Sequence, residues 1–75
     1  MDMRLLVGTN VRRIRLEQGL TQEQLAERSG FTQHYLSGLE QGKRNPTVVT
    51  VFEIAQALGV DHLTLLTPPA HMAED

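Results

Sequence analysis

The chain has no cysteine and no tryptophan, and its aromatic residues are one tyrosine and two phenylalanines. Without cysteine, neither disulfide bonds nor thiolate chemistry can operate. The apolar run 5–7 is too short for a signal-peptide core, and no segment approaches the length of a membrane span. A chain of 75 residues, 40% of them hydrophobic, corresponds to one small domain with a modest core. We therefore expect a soluble, cytoplasmic protein.

The chain also lacks the residue clusters on which catalysis usually depends. Its three histidines have no metal-ligand spacing and no cysteine or paired carboxylates nearby. Ser29 and Ser37 have no suitable histidine and aspartate around them, and no glycine-rich phosphate loop occurs. We expect no enzymatic activity, no metal and no cofactor.

The segment 21–44 predicts two short helices joined by a tight turn. Thr21 and Thr32 can each cap a helix with a side-chain hydroxyl group. Gly30 and Gly42 can end the two helices, because glycine adopts the left-handed conformation without a Cβ clash. The helices predicted in this way cover residues 22–29 and 33–41. Together they form a helix-turn-helix.

The second of these helices has one apolar face and one uncharged polar face. At about 100° per residue, Tyr35, Leu36 and Leu39 share one side, and the other side carries amide, imidazole and hydroxyl groups. A solvent-exposed face more often carries pairs of lysine and glutamate, which is the plainer alternative. Amide groups can instead read base edges in the major groove of DNA. The residues we predict to read bases are Gln33, His34, Ser37 and Gly38.

Three further amphipathic segments complete a predicted all-α fold of five helices. These helices cover approximately residues 4–18, 48–58 and 62–66, with Thr47 and Asp61 as caps of the last two. The residues predicted to face inward are Val7, Val11 and Ile14 in the first helix and Val48, Val51, Ile54, Ala55 and Leu58 in the fourth. Residues 70–75 have no apolar periodicity and are predicted to fray. The domain is therefore expected to span residues 1–69.

These segments resemble the phage-repressor family of helix-turn-helix proteins, which is also described as lambda-repressor-like or as XRE/Cro-type. The central matches are Thr21-Gln22, Leu25-Ala26, Gly30, Leu36, Leu39, Glu40 and Gly42. The flanking matches are Gly8, Val11, Arg12, Ile14, Arg15, Asn45-Pro46-Thr47, Ile54-Ala55, Leu58-Gly59-Val60 and the segment 63–66. The resemblance implies a compact five-helix DNA-binding domain and a sequence-specific transcriptional regulator.

The resemblance also implies roles for individual residues. It favours an internal ion pair between Arg15 and Glu40 over a phosphate contact by Arg15, since a partly buried carboxylate needs a partner. Residues expected to contact DNA phosphates are Gln22, Thr32, Tyr35, Lys43, Arg44 and Asn45. For Tyr35, half-buried packing remains an alternative, as does a solvated surface turn for residues 43–45. Gly38 has no side chain where many members of the family carry a longer polar one, so base preference there is expected to be loose.

The net charge of −2 and the isoelectric point near 5.8 predict weak overall attraction to phosphate. The charges are unevenly distributed, however. Residues 1–45 contain all seven basic residues and five acids, for a net charge of +2, whereas residues 46–75 contain four acids and no lysine or arginine. The acidic half is therefore expected to lie away from DNA.

We expect a homodimer that binds an inverted-repeat operator in double-stranded DNA. Two recognition helices about 34 Å apart multiply a weak half-site affinity. The family resemblance implies that the fifth helix forms the dimer interface, through Leu63, Leu65 and Leu66, and Leu65→Glu is then expected to yield monomers. An alternative is an antitoxin-like protein that binds a partner toxin and autoregulates its operon. A scaffold module on the same fold is a third possibility, although the polar face of the third helix argues against it.

Overall fold

The computed structural model describes residues 1–69, and this part of the chain forms five α-helices. They are α1 (Met3–Glu17), α2 (Gln22–Ser29), α3 (Gln33–Glu40), α4 (Val48–Leu58) and α5 (His62–Leu66). The predicted all-α fold class is confirmed. The tail predicted at residues 70–75 lies outside the described residues. Within residues 1–69, no helix has the length and apolarity that crossing a membrane requires.

Helix α1 begins and ends one residue earlier than the sequence pattern predicts. The Asp2 carboxylate accepts hydrogen bonds from the backbone N–H groups of Arg4 and Leu5, at 3.0 and 3.3 Å. This capping satisfies donors that have no partner inside the helix. The helix therefore starts at Met3.

Side-chain caps also set the start of the other four helices. Thr21, Thr32, Thr47 and Asp61 each accept a hydrogen bond from a backbone N–H in the first turn of the following helix. At α2 the Gln24 side chain returns a bond to the backbone N–H of Thr21, which completes a capping box. The predicted starts of α2 to α5 are confirmed, and α3 ends at Glu40, one residue before the predicted end.

The hydrophobic core lies where the five helices meet. Its buried members are Val7, Val11, Ile14, Leu20, Leu25, Leu36, Leu39, Val51, Ile54, Ala55, Leu58 and Leu65. The inward positions predicted for α1 are confirmed. Those predicted for α4 are confirmed except for Val48, which is 73% exposed. Val48 borders an open groove between α1, α4 and α5.

Helix α1 approaches α3 very closely at Gly8. A Cβ atom at this position would lie 2.1 Å from the carbonyl oxygen of Leu39 and 3.0 Å from that of Glu40. No residue other than glycine fits without moving one of the two helices. Gly8 thus fixes the position of α3 relative to α1.

Two side-chain amides, one in α1 and one at the residue that caps its end, bind the C-terminal ends of α4 and α5. Asn10 is fully buried, and its Nδ2 atom lies 2.9 Å from the carbonyl oxygen of Leu65 and 3.0 Å from that of Thr67. The Nε2 atom of Gln18 lies 2.6 Å from the carbonyl oxygen of Leu58. Carbonyl groups in the last turn of a helix have no intrahelical partner, so Asn10 and Gln18 supply donors to both helices.

Candidate nucleic-acid interface

An ion pair between α1 and α3 lies beneath the exposed face of α3. Arg15 donates from Nε to Glu40 Oε2 at 2.7 Å and from Nη2 to Glu40 Oε1 at 3.0 Å, and Nη1 donates to the carbonyl oxygen of Leu20 at 2.7 Å. Both charged residues are buried, with 7% of each exposed. This is the ion pair predicted for Arg15 and Glu40, and it is confirmed.

The Arg15 guanidinium stays protonated throughout the physiological pH range. The hydrogen bond to Glu40 raises the pKa of Arg15 above its ordinary value, burial opposes this change, and the negative charge of Glu40 supports it. Because the pKa of Arg15 is raised on folding, its contribution to stability is lost only at strongly alkaline pH. A two-point contact between planar groups also restricts how the two side chains can rotate.

Glu40 extends this order to the half-buried amide of Gln22 and, through it, to the exposed amide of Gln33. Its Oε1 atom also accepts a hydrogen bond from Gln22 Nε2 at 3.1 Å, and Gln22 Oε1 accepts one from Gln33 Nε2 at 3.1 Å. A carboxylate can only accept, so Gln22 must turn its NH2 group toward Glu40 and its oxygen toward Gln33. The second N–H and the oxygen of Gln33 remain available for a ligand. Adenine offers a matching acceptor and donor in the major groove.

The predicted base-reading residues lie together on the exposed side of α3. His34, Ser37 and Gly38 line one cleft together with Lys43 and Arg44. Gln41 also lines this cleft and donates from Nε2 to Ser37 Oγ at 3.3 Å. It was not among the residues predicted to read bases, although its place one helical turn after Ser37 was a usable signal. The structure thus groups hydroxyl, imidazole and amide groups beside two basic residues.

The Arg44 side chain folds back over α3. Its guanidinium carbon lies 5.5 Å from the centroid of the Tyr35 ring, a distance at which a cation is attracted to the ring face. A Cβ atom on Gly38 would lie 2.9 Å from Arg44 Nε, so Gly38 leaves the space in which this side chain lies. Tyr35 in turn stacks on Phe31, with ring centroids 5.2 Å apart. The Tyr35 ring therefore supports Arg44, in agreement with the half-buried alternative.

Other predicted phosphate-contacting residues occupy more varied positions. Thr32 is exposed, and its hydroxyl accepts a hydrogen bond from the backbone N–H of Tyr35 at 3.0 Å. Lys43 is exposed and lines the cleft beside α3. Asn45 instead lines the groove between α1 and α4, with Met3 and Pro46. Lys43 and Arg44 are therefore brought to the α3 face, and Asn45 lies beyond it.

A second cleft lies on the opposite side of the same face, between α1 and α3. It is lined by Arg12, Gln22, Ser37, Glu40 and Gln41. Ser37 and Gln41 belong to both clefts, so the polar face of α3 forms the ridge between them. Sequence patterns matched Arg12 to the first helix of the family but predicted no DNA contact for it, because only packing places it beside α3.

The three leucines predicted at a dimer interface have different environments. Leu63 is 59% exposed and Leu66 is half-buried, whereas Leu65 is fully buried in the core. The prediction for Leu65 is wrong, because a side chain enclosed by its own domain cannot contact a second copy. Its substitution by glutamate would place a charge in the core and unfold the domain.

An exposed apolar surface does exist on α4 and α5, and we call it the α4–α5 apolar surface. It consists of Val48, Val49, Phe52 and Leu63, which are 73, 61, 45 and 59% exposed. The rings of Phe52 and His62 lie 6.0 Å apart between their centroids, which joins the two helices on this side. Grouped apolar residues of this kind mark interaction surfaces more often than isolated ones do.

The fold and this exposed face define a helix-turn-helix protein. The helix-turn-helix family HTH_3 matches residues 11–65. The chain belongs to this family, whose relatives include phage repressors, and it is a transcriptional regulator. The family resemblance inferred from the sequence is confirmed.

Individual relatives are similar over most of their length. An HTH-type transcriptional regulator named y4dJ, from Sinorhizobium fredii, is 65% identical over 68 residues, covering 91% of this chain and 88% of that protein. The solved structure of the hypothetical transcription factor NHTF from Neisseria has a TM-score of 0.89 and 33% identity, covering 97% of this chain and 84% of that one. The restriction-modification controller protein C.AhdI from Aeromonas hydrophila has a TM-score of 0.79 and 35% identity, covering 83% and 90%. These relatives are named as regulators and not as enzymes.

Proposed function

We propose that the protein binds an inverted-repeat operator as a homodimer, with α3 of each protomer in the major groove. The observation that carries the proposal is the hydrogen-bonded series from Arg15 through Glu40 and Gln22 to Gln33. It begins at a buried ion pair and ends at an exposed amide with a fixed orientation. An amide that serves only solvation needs no such support, whereas base reading depends on it.

The residues of the α3 face divide into two roles. Gln33, His34 and Ser37 read base edges, and Gly38 leaves the space along the helix in which the Arg44 side chain lies. Gln22, Lys43 and Arg44 contact phosphates, which positions the domain without selecting a sequence. Thr32, Tyr35 and Asn45 are secondary candidates for phosphate contacts, since Thr32 caps α3, Tyr35 supports Arg44 and Asn45 lies toward α1. This division separates residues that set specificity from residues that set affinity.

The proposed dimer interface is the α4–α5 apolar surface of Val48, Val49, Phe52 and Leu63. It replaces the interface expected from Leu65, which is buried. A second copy offers the same apolar residues, so a two-fold contact would remove both surfaces from water. Dimerisation would place two α3 helices on successive turns of DNA, about 34 Å apart.

A selection of binding sites from a random duplex pool tests this function. Purified protein should enrich an inverted repeat whose half-sites lie about 10 bp apart, at both low and moderate salt. Gln33→Ala should relax the preference at one base pair of each half-site by about 1–3 kcal/mol. The other positions of the same operator provide the internal control.

The opposite result would also be informative. Failure to enrich any sequence, with weak binding lost at higher salt, would contradict the proposal. The antitoxin-like alternative, in which a partner protein is needed, would then be favoured. An enriched single half-site would retain base reading and contradict the homodimer.

A further inference from the structure

One side of α1 faces α3 and carries Arg12. Neither the packing of the fold nor the proposed reading of bases gives this residue a role. Gly8, Arg12 and Arg15 are spaced at i, i+4 and i+7, which places them on one side of the helix. Gly8 lies against the carbonyl groups at the end of α3, and Arg15 is bonded to Glu40. Arg12 therefore lies between two fixed contact points with α3.

The Arg12 side chain is exposed and lines the cleft between α1 and α3. Glu40 lines the same cleft, but both of its oxygens already accept hydrogen bonds from Arg15, and one also accepts from Gln22. Within residues 1–69, no salt bridge involves Arg12. Its charge is therefore not used to balance an acid in the described part of the chain.

The adjacent arginine of α1 has the opposite arrangement. Arg13 donates to Glu17 at 3.4 Å and to Asn10 Oδ1 at 3.4 Å. It is bound to residues of its own helix and does not line the cleft beside α3. Of these two neighbouring arginines, Arg13 binds residues of its own helix, whereas Arg12 forms no salt bridge within residues 1–69.

Basic side chains consequently flank the polar face of α3 on both sides. Lys43 and Arg44 border one cleft, and Arg12 borders the other, with Ser37 and Gln41 on the ridge between them. A helix in the major groove, which is about 12 Å wide, has a phosphate backbone on each side. A cleft with a basic residue on each side of α3 fits that arrangement.

We propose that Arg12 and Gln22 form a phosphate-binding site between α1 and α3, for the DNA strand opposite the one bound by Lys43 and Arg44. The inference rests on the proposed function, since it takes α3 to lie in the major groove. The ligand is a phosphodiester group of the DNA backbone, so the contact is independent of base sequence. It adds a residue from outside the helix-turn-helix to the DNA-binding surface.

The test compares Arg12→Gln with Arg13→Gln, a matched control that removes the same charge one residue away. The dissociation constants of wild-type and variant proteins are measured by fluorescence anisotropy between 50 and 200 mM salt, on the selected operator and on an unrelated duplex. The slope of the logarithm of the dissociation constant against the logarithm of salt concentration, here called the salt slope, falls by about 0.9 for each lost phosphate contact. The ratio of the dissociation constants at the highest and lowest salt concentrations then falls about 3.5-fold. For Arg12→Gln we expect the salt slope to fall by this amount for each protomer, on both duplexes. For Arg13→Gln we expect the wild-type salt slope.

Thermal unfolding and Arg12→Lys complete the design. Arg12→Gln should unfold at the wild-type temperature, and Arg12→Lys should retain the wild-type slope, because lysine keeps the charge. If the wild-type protein binds the operator but Arg12→Gln has an unchanged salt slope, the phosphate site is overturned and the proposed function is retained. A loss confined to the operator would indicate a base contact, and a lowered unfolding temperature would indicate a structural role, so either would overturn the inference. Wild-type protein that binds neither duplex would defeat both proposals.

Discussion

The α1–α3 region and the α4–α5 region use polar and apolar residues in opposite ways. Between α1 and α3, a buried ion pair and a series of amides lead from the interior to the surface. On α4 and α5, apolar residues fill the interior and also occupy the exposed surface. Defined orientation is needed where bases are read, and apolar area is needed where two copies associate. The two regions therefore fit the two partners proposed above, DNA and a second copy of the chain.

The largest expected effect concerns the buried ion pair. Glu40→Ala leaves Arg15 buried without its partner, which should lower the free energy of unfolding by about 3–5 kcal/mol. Glu17→Ala is the matched control, since Glu17 pairs with Arg13 at an exposed i,i+4 position, where such pairs contribute about 0.3–0.5 kcal/mol. Urea denaturation followed by circular dichroism measures both. Equal losses in the two variants would show that the α1–α3 pair has no special structural role.

The two leucines of α5 provide the next test. Leu65→Ala should lower the free energy of unfolding by about 2–5 kcal/mol, because it leaves a cavity in the core. Leu63→Ala should change it by less than about 0.5 kcal/mol and should raise the dimer dissociation constant at least about tenfold, through loss of buried apolar area. Sedimentation over a concentration series would reveal the second effect. Unchanged self-association would exclude Leu63 from the dimer interface.

Gly8→Ala tests the close approach of α1 to α3. Replacing glycine by alanine inside a helix normally stabilises it by about 1 kcal/mol, but here the new Cβ would clash with the Leu39 carbonyl oxygen. We expect the sign to reverse, with a loss of about 1–3 kcal/mol and weaker operator binding as α3 moves. Thermal unfolding and anisotropy measure the two effects. A stabilised variant with full affinity would contradict the proposed tight contact.

The smallest effect on stability is expected from Gly38→Ala. The helix should gain about 1 kcal/mol, and displacement of Arg44 from Tyr35 should lose about 0.5–1 kcal/mol, so the free energy of unfolding should change little. Affinity for operator DNA should nevertheless fall, because the guanidinium group no longer lies along α3. The same two measurements used for Gly8→Ala apply. Undiminished affinity would show that the placement of Arg44 is unimportant for binding.

The helices could be predicted from the sequence because their ends depend on local signals. Thr21, Thr32, Thr47 and Asp61 cap the segments that follow them, and those four starts were predicted correctly. Whether an individual side chain is buried or exposed was harder to predict. Helical periodicity placed Val48 inward, but it contains no information about where the neighbouring helices end. For the same reason, it could not separate exposed Leu63 from buried Leu65.

The candidate site shows a similar division. The polar face of α3 follows from residues within one helix, so Gln33, His34 and Ser37 could be chosen from the sequence. Two other features of the site depend on contacts between distant segments, so they could not be predicted from the sequence. Arg12 reaches the α3 face only because α1 packs against it, and Arg44 lies over α3 only because Gly38 leaves space there. Sequence patterns specify which groups a helix presents, whereas packing specifies which groups from elsewhere join them.

The amide of Asn10 has a consequence for how the protein folds during synthesis. Its hydrogen-bond acceptors are the carbonyl groups of residues 64, 65 and 67, which lie more than 50 positions further along the chain. Until those residues have left the ribosome, a polar group destined for full burial has no partner. Helix α5 has only five residues and is too short to be stable alone. Helices α1 and α5 must therefore reach their native positions together, so the domain completes its folding only after Thr67 has been made.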